Sequence, residues 1–263
     1  MTAATIDDMQ LADEPAAWRA LGFAVEGRHC QIGAVRLGFV GSGSGAGGTG
    51  GGGGGLGAGG AILGWSLRGV AGTELDGLPT TISERPAPAP SADGEPAPAH
   101  PNGVSGIDHV VAFSPSLDRT VAALRSAGLE LRRIREQPTP AGAPRQAFFR
   151  LGAVILEVVQ APAQALASSP EWERAGGADA PARFWGLALV VADADRAAAA
   201  FAPHLSEFRP AVQAGRRIAT VRRSAGLALP LALMSAEERA GDAGAPPRRR
   251  TTPQRAGVGE GGA

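Results

Sequence analysis

The chain has 263 residues, 44% of them hydrophobic, and its 25 basic and 25 acidic residues give a formal net charge of zero. Because the arginines are spread along the chain, this balance argues against an electrostatic surface for nucleic acid or for an anionic membrane. The single cysteine, Cys30, excludes an internal disulfide framework and a zinc site built from cysteine pairs. We expect a cytoplasmic protein, monomeric or homodimeric, with no nucleic-acid or membrane partner.

Residues 1–82 are predicted to form a degenerate βαβββ-like module. DEPAAWRALG has the pattern of a helix, and AILGWSLRGV (61–70) that of a strand. Between them, IGAVRLGFVG (32–41) aligns without gaps on LGAVILEVVQ (151–160), with five of ten positions identical. The sequence offers no obvious first strand for this module.

Three segments are predicted to lie outside regular structure. The glycine-rich stretch 41–60 contains G-x-G-x-x-G at Gly43, Gly45 and Gly48, but neither a helix nor an acidic residue at the required spacing follows, so we interpret it as an expanded loop. The Pro- and Ala-rich stretch 83–105 is expected to be an extended linker. The polar tail 237–263 is expected to be disordered.

Between linker and tail, one pattern occurs twice. A strand, IDHVVAFS (107–114), precedes a helix, SLDRTVAALRSAG, and three strands, LELRRIRE, RQAFFRLG and AVILEVVQ. WGLALVVA (185–192), DADRAAAAFAPHL, EFRPAVQ, RRIATVRR and LALPLALM repeat this order. Asp118 corresponds to Asp195 at a shift of 77 residues. Residues 106–236 therefore read as tandem βαβββ modules, an α+β class of fold.

The repeat, the DHV that opens its first strand and the closing ILEVV together resemble the vicinal oxygen chelate superfamily and its glyoxalase-like proteins. The resemblance implies that two βαβββ modules pair into a curved mixed sheet whose concave face binds a small molecule and a divalent metal. It maps His109 and Glu157 onto metal-ligand positions of the first module, with Glu157 also as the catalytic residue. Zn, Ni, Mn or Fe would suit imidazole and carboxylate ligands.

Glu157 is the unusual residue of its strand, because an ionised carboxylate among apolar residues costs several kcal/mol unless it is compensated. Alternation places Ile107, His109 and Val111 on one strand face. The second module departs from the family pattern, with Gly186 and either Ala232 or Met234 at the ligand positions. A structural alternative pairs Glu157 with Arg145 or Arg150 and treats His109 as a core histidine. His29, His100 and His204 are interpreted as incidental.

Five residues are expected to contact the ligand: Phe113, Phe148, Arg150, Trp185 and Arg217. Three functions remain open. The first is metal-assisted lyase, isomerase or oxygenase chemistry, and the second is metal-free binding or sequestration of a small molecule, as in antibiotic-resistance members of the superfamily. The third is a non-catalytic scaffold.

Overall fold

A computed structural model describes residues 3–41, 60–87, 100–138, 142 and 145–236. The predicted glycine-rich loop, apart from its two end residues, lies outside these ranges. So do most of the predicted linker and the tail.

The first part of the chain forms a five-stranded sheet with the order β2-β3-β1-β4-β5. Its elements are β1 (Thr5–Leu11), α1 (Pro15–Ala20), β2 (His29–Ile32), β3 (Val35–Phe39), β4 (Ile62–Arg68) and β5 (Thr80–Ile82). The predicted helix and the strands at 32–41 and 61–70 are confirmed. The expectation that the first strand is missing was wrong, since β1 occupies that place. Two aspartates within it, Asp7 and Asp8, concealed it because acidic residues are depleted in strands.

The rest of the described chain forms an eight-stranded sheet with the order β11-β12-β13-β10-β6-β9-β8-β7. Its elements are β6 (Val104–Ser114), α2 (Leu117–Ser126), β7 (Glu130–Arg135), β8 (Gln146–Leu151), β9 (Val154–Gln160), α3 (Ala163–Ser168), α4 (Pro170–Arg174), β10 (Arg183–Val191), α5 (Ala194–Phe201), β11 (Arg209–Pro210), β12 (Arg217–Thr220) and β13 (Leu231–Ser235). Two sequence expectations need adjustment. The strand predicted at EFRPAVQ shortens to β11, and the short helices α3 and α4 were not predicted.

The eight-stranded sheet consists of two βαβββ modules, as the repeat predicted. In each module the first strand lies parallel to the last, β6 to β9 and β10 to β13, and the two first strands pair antiparallel at the centre. His109 lies opposite Ala188 and Val111 lies opposite Gly186, so a shift of 77 residues exchanges the two pairs. Gly186 is thus the counterpart of His109. The same register makes Ala232, rather than Met234, the counterpart of Glu157.

The five-stranded sheet repeats parts of this pattern. Strand β1 is parallel to β3 and antiparallel to β4, and β4 is parallel to β5. The Trp65 amide donates to the Pro79 carbonyl at 3.1 Å, and the Leu187 amide donates to the Pro230 carbonyl at the same distance. These matches support a degenerate module in this region. By the same matches, β4 and β5 correspond to the first and last strands of a second, shorter module.

Both sheets contribute one face to a single apolar core. Trp65 contacts Phe184 with ring centroids 4.8 Å apart, and Phe23 contacts Phe201 at 5.9 Å. Each of these pairs joins the first sheet or its connections to the second. Among the described residues, no helix is both long and apolar enough to cross a bilayer.

Buried polar contacts also join the two parts. Asp13 accepts hydrogen bonds from the Trp18 indole at 3.0 Å and from the Ala228 amide at 2.6 Å. His100 was interpreted as incidental, but it is buried and its Nδ1 accepts a hydrogen bond from the Ala24 amide at 3.1 Å. Burial lowers the pKa of His100, which keeps the imidazole neutral in this role.

The close approach at Gly186 yields a stability prediction. A Cβ at this position would lie 2.5 Å from the Pro230 carbonyl oxygen, whereas a Cβ at Gly106 would meet nothing within 4 Å. We expect Gly186→Ala to lower the free energy of unfolding by about 1–3 kcal/mol, because a backbone contact cannot yield as a flexible side chain does. Gly106→Ala is the control and should change it by less than about 1 kcal/mol. Urea unfolding measures both, and equal effects would contradict the prediction.

Candidate functional site

Three of the residues predicted to form the site, His109, Glu157 and Phe148, line a cavity of about 290 Å³ on the face of the eight-stranded sheet that is opposite the core. His109 from β6, Glu157 and Ile155 from β9 and Phe148 from β8 form part of its wall. The full lining is Asp108, His109, Arg132, Arg133, Phe148, Ile155, Glu157 and Gln213. Its volume is at the lower end of the range for small-molecule sites.

A β-bulge brings two consecutive residues to the cavity. The pairing of β6 with β10 skips Asp108, because Ala188 pairs with His109 and Leu189 pairs with Ile107. The extra residue breaks the alternation of side chains. Asp108 and His109 therefore both line the cavity, while Ile107 joins the core. The expectation that Ile107 shares a face with His109 was wrong for this reason.

Asp108 holds the histidine in place. Its Oδ2 lies 2.7 Å from Nδ1 of His109, and its Oδ1 lies 2.6 Å from a guanidinium nitrogen of Arg216. Burial would raise the pKa of Asp108, but hydrogen bonds from His109 and Arg216 and their charges outweigh burial and lower this pKa. An ionised Asp108 favours a proton on Nδ1 of His109, which directs Nε2 toward Glu157.

Glu157 is a half-buried acid that lines the cavity. Its Oε2 lies 3.6 Å from Nε2 of His109, and its Oε1 accepts a hydrogen bond from the Gln146 amide. Burial raises the pKa of Glu157, and the charge of His109 and the Gln146 bond only partly offset it. A carboxyl whose pKa is raised is closer to the range in which it can exchange protons near neutral pH.

The structure does not contain the alternative ion pair of Glu157 with Arg145 or Arg150. Arg145 instead pairs with Glu136 at 2.8 Å and with Asp118 at 3.0 Å. Arg150 is exposed on β8 and lies opposite Glu130 in the strand pairing. The polar contacts of Glu157 come from Gln146 and His109. An ion pair with Arg145 or Arg150 therefore does not account for its charge.

The ligand set of the site does not match a resident divalent metal. His109 and Glu157 could approach one ion, but both oxygens of Asp108 already bind His109 and Arg216. The second module offers Gly186 and Ala232, which have no ligand atoms in their side chains. Within the described ranges, no group of three or more His, Cys, Asp or Glu side chains is arranged to hold a metal ion. Two protein ligands fall short of the three that catalytic zinc sites use.

The predicted ligand-contact residues fall into separate places. Phe148 lines the cavity, whereas Phe113 contacts Trp185, with ring centroids 5.6 Å apart, in an apolar cluster with the buried Trp172 of α4. Arg150 and Arg217 also lie outside the cavity lining. These four assignments remain predictions.

Sequence reasoning missed much of the polar lining. Arg132 and Arg133 come from β7, and Gln213 comes from the turn between β11 and β12. The consecutive arginines in LELRRIRE were an available signal. Adjacent side chains in a strand normally face opposite ways, so at least one of the two charges would be expected on the face that carries the site. Asp108 adjoins His109 in sequence but was not considered as part of the site.

The corresponding face of the five-stranded sheet also carries carboxylates, but their charges are neutralised. Asp7, the bulged residue of β1, binds Arg68 and Arg85. Asp8, which matches His109 in the strand pairing, binds Arg36 at 2.9 Å and accepts a hydrogen bond from Gln10. This face therefore contains internal ion pairs where the second sheet has an acid facing a cavity.

Comparison with solved structures gives matches of low identity. Methylmalonyl-CoA epimerase from Mycobacterium tuberculosis is 19% identical, with a TM-score of 0.41, and the match covers 55% of this chain and 95% of that chain. A Streptomyces coelicolor methylmalonyl-CoA epimerase in complex with 2-nitronate-propionyl-CoA is 20% identical, with a TM-score of 0.38, covering 50% and 97%. A hypothetical protein from Bacillus halodurans is 16% identical, with a TM-score of 0.39, covering 51% and 96%.

No family model matches the sequence, and no curated protein matches it. At these identities and scores, the solved structures give no information about the activity of this chain. Its chemistry must be inferred from its own residues.

The raised pKa of Glu157 predicts a pH dependence of stability. Its folded-state pKa lies above the ordinary value of 4.5, so the native state binds this proton more tightly than the unfolded chain does. The resulting stability is fully present below that ordinary value and is lost as the pH rises through the folded-state pKa. As the pH rises through this range, we expect Glu157→Gln to become more stable relative to wild type.

Urea unfolding of both proteins from about pH 4 to about pH 8 measures the difference. Glutamine can still accept the hydrogen bond from Gln146, so the comparison isolates the titrating group. A difference that does not change with pH would contradict the prediction.

Proposed function

We propose that this protein binds a small molecule in the His109–Glu157 cavity and that Glu157 exchanges a proton with it. The observation that carries this proposal is the chain of contacts Asp108–His109–Glu157, which ends at a half-buried acid facing a cavity. A general base must reach its ligand and have a pKa near the working pH; Glu157 lines the cavity, and burial raises its pKa toward that range.

The roles of the three residues follow from their contacts. Ionised Glu157 accepts a proton from an acidic carbon or oxygen of the ligand. His109, whose Nε2 lies 3.6 Å from Oε2 of Glu157, receives this proton when its ring is neutral, which returns Glu157 to its ionised form. Asp108 keeps His109 oriented through Nδ1. The reaction class is an isomerisation or a lyase step that starts with proton removal.

The alternative is a protein that binds or sequesters a small molecule without reaction. Gly186 and Ala232 favour it, because the second module brings no reactive side chain to the positions that match His109 and Glu157. The two functions differ in one measurable property, which is the exchange of a ligand proton with solvent.

Proton exchange can be measured directly by NMR in D₂O. The probes are 2-oxobutanoate and its uncharged amide, which both have acidic protons at C3. We expect the wild type to speed the loss of the C3 proton signal of at least one probe, and Glu157→Gln to slow this exchange by roughly 100-fold or more. Glu207→Gln changes an exposed glutamate and is the matched control.

Three results distinguish the functions. Exchange that depends on Glu157 supports the proposal. A probe that binds to the wild type without exchange would favour sequestration. Equal exchange by wild type and Glu157→Gln would contradict a proton-transfer role for this residue.

A weak metal role for His109 and Glu157 is the second candidate. The 3.6 Å between their facing atoms favours it, since both could approach one ion whose other ligands came from a bound molecule. We expect protein purified without added metal or affinity tag to contain well under one equivalent of Zn, Ni, Mn or Fe by elemental analysis. One full equivalent, lost in His109→Ala, would instead indicate a resident metal site.

A further inference from the structure

Two guanidinium groups line the same cavity because of a second β-bulge. In the pairing of β7 with β8, Leu131 lies opposite Phe149 and Arg133 lies opposite Phe148, so Arg132 is the extra residue. Arg132 and Arg133 consequently both line the cavity, although they are consecutive in a strand. The cavity thus contains acidic and imidazole groups from β6 and β9 and basic groups from β7.

The two arginines differ in their contacts. Arg132 forms an exposed ion pair with Glu130 at 2.6 Å. The Arg133 guanidinium lies over the ring of Phe148, 4.6 Å from its centroid, and in the described part of the chain it has no carboxylate in ion-pair contact. Stacking on an aromatic ring restricts a guanidinium while its N–H groups stay free to bind.

The charge of Arg133 acts on the reactive acid. It lowers the pKa of Glu157, although burial has the larger, opposite effect. Both side chains also line one small cavity. A ligand that touched Glu157 would therefore come close to Arg133 as well.

We propose that Arg133, assisted by Arg132, binds the carboxylate group of a small organic acid and thereby places an acidic carbon of that ligand against Glu157. This inference rests on the proposed function and specifies its ligand class. A guanidinium matches a carboxylate with two parallel N–H···O bonds, which fixes the orientation of the ligand as well as its charge. A cavity of about 290 Å³ suits a compact acid.

Isothermal titration calorimetry tests the proposal on the full chain. The probes are 2-oxobutanoate, its uncharged amide and inorganic phosphate. We expect 2-oxobutanoate to bind the wild type more tightly than the amide does. Arg133→Gln should weaken binding of the acid by roughly tenfold or more, because one charged partner is lost. Its effect on the amide should be much smaller.

Two further variants sharpen the comparison. Arg132→Gln should weaken the binding of 2-oxobutanoate less than Arg133→Gln does, since Arg132 is already paired with Glu130. Arg125→Gln removes an exposed arginine of α2 outside the cavity lining and should leave the affinity for all three probes unchanged. Thermal unfolding of each variant shows whether it is folded.

The outcomes separate this inference from the proposed function. Equal binding of 2-oxobutanoate by wild type and folded Arg133→Gln would overturn the carboxylate subsite, and so would no binding of the acid at millimolar concentration. Tighter binding of phosphate than of the acid would overturn the assignment to carboxylates. In each of these cases the proposed function still holds if proton exchange of the uncharged amide depends on Glu157.

Discussion

The apolar core shared by the two sheets is the constraint on which the rest of the structure depends. Each sheet gives one face to this core, so the charged side chains of its strands collect on the opposite face. In β9, Leu156 and Val158 belong to the core while Glu157 lies between them on the other side. Strand alternation thus places the Glu157 carboxyl against a cavity while the neighbouring residues of the strand pack into the core. The cavity and the core occupy the same strands on different faces.

The chemistry of the cavity depends on places where that alternation fails. A regular β6 would give the cavity either Asp108 or His109, and a regular β7 would give it either Arg132 or Arg133. The extra residue in each strand supplies both. The five-stranded sheet has the same irregularity at Asp7, but its arginines bind the carboxylates directly. The same backbone geometry therefore produces an internal ion-pair network in one sheet and a cavity lined by ionisable groups in the other.

The sequence predicted the second sheet well because its signals were strong and repeated. The 77-residue shift fixed the equivalence of His109 with Gly186 before the strand pairing was known. Strand β1 was missed because Asp7 and Asp8 interrupt its apolar pattern. The bulges were missed because one additional residue leaves the composition of a strand unchanged. The contact of Arg216 with Asp108 joins distant segments, and no local pattern reports it.

The hydrogen bond from the Ala228 amide to Asp13 connects residues 215 positions apart in the chain. This contact can form only after the ribosome has released residue 228, and the pairing of β6 with β9 and with β10 is also non-local. Topologies of this kind reach the native state slowly, since much chain entropy is lost before long-range contacts compensate for it. Until then, the core faces of both sheets are open to other chains. Aggregation before folding is complete is thus a hazard that follows from the way in which distant parts of the chain are joined.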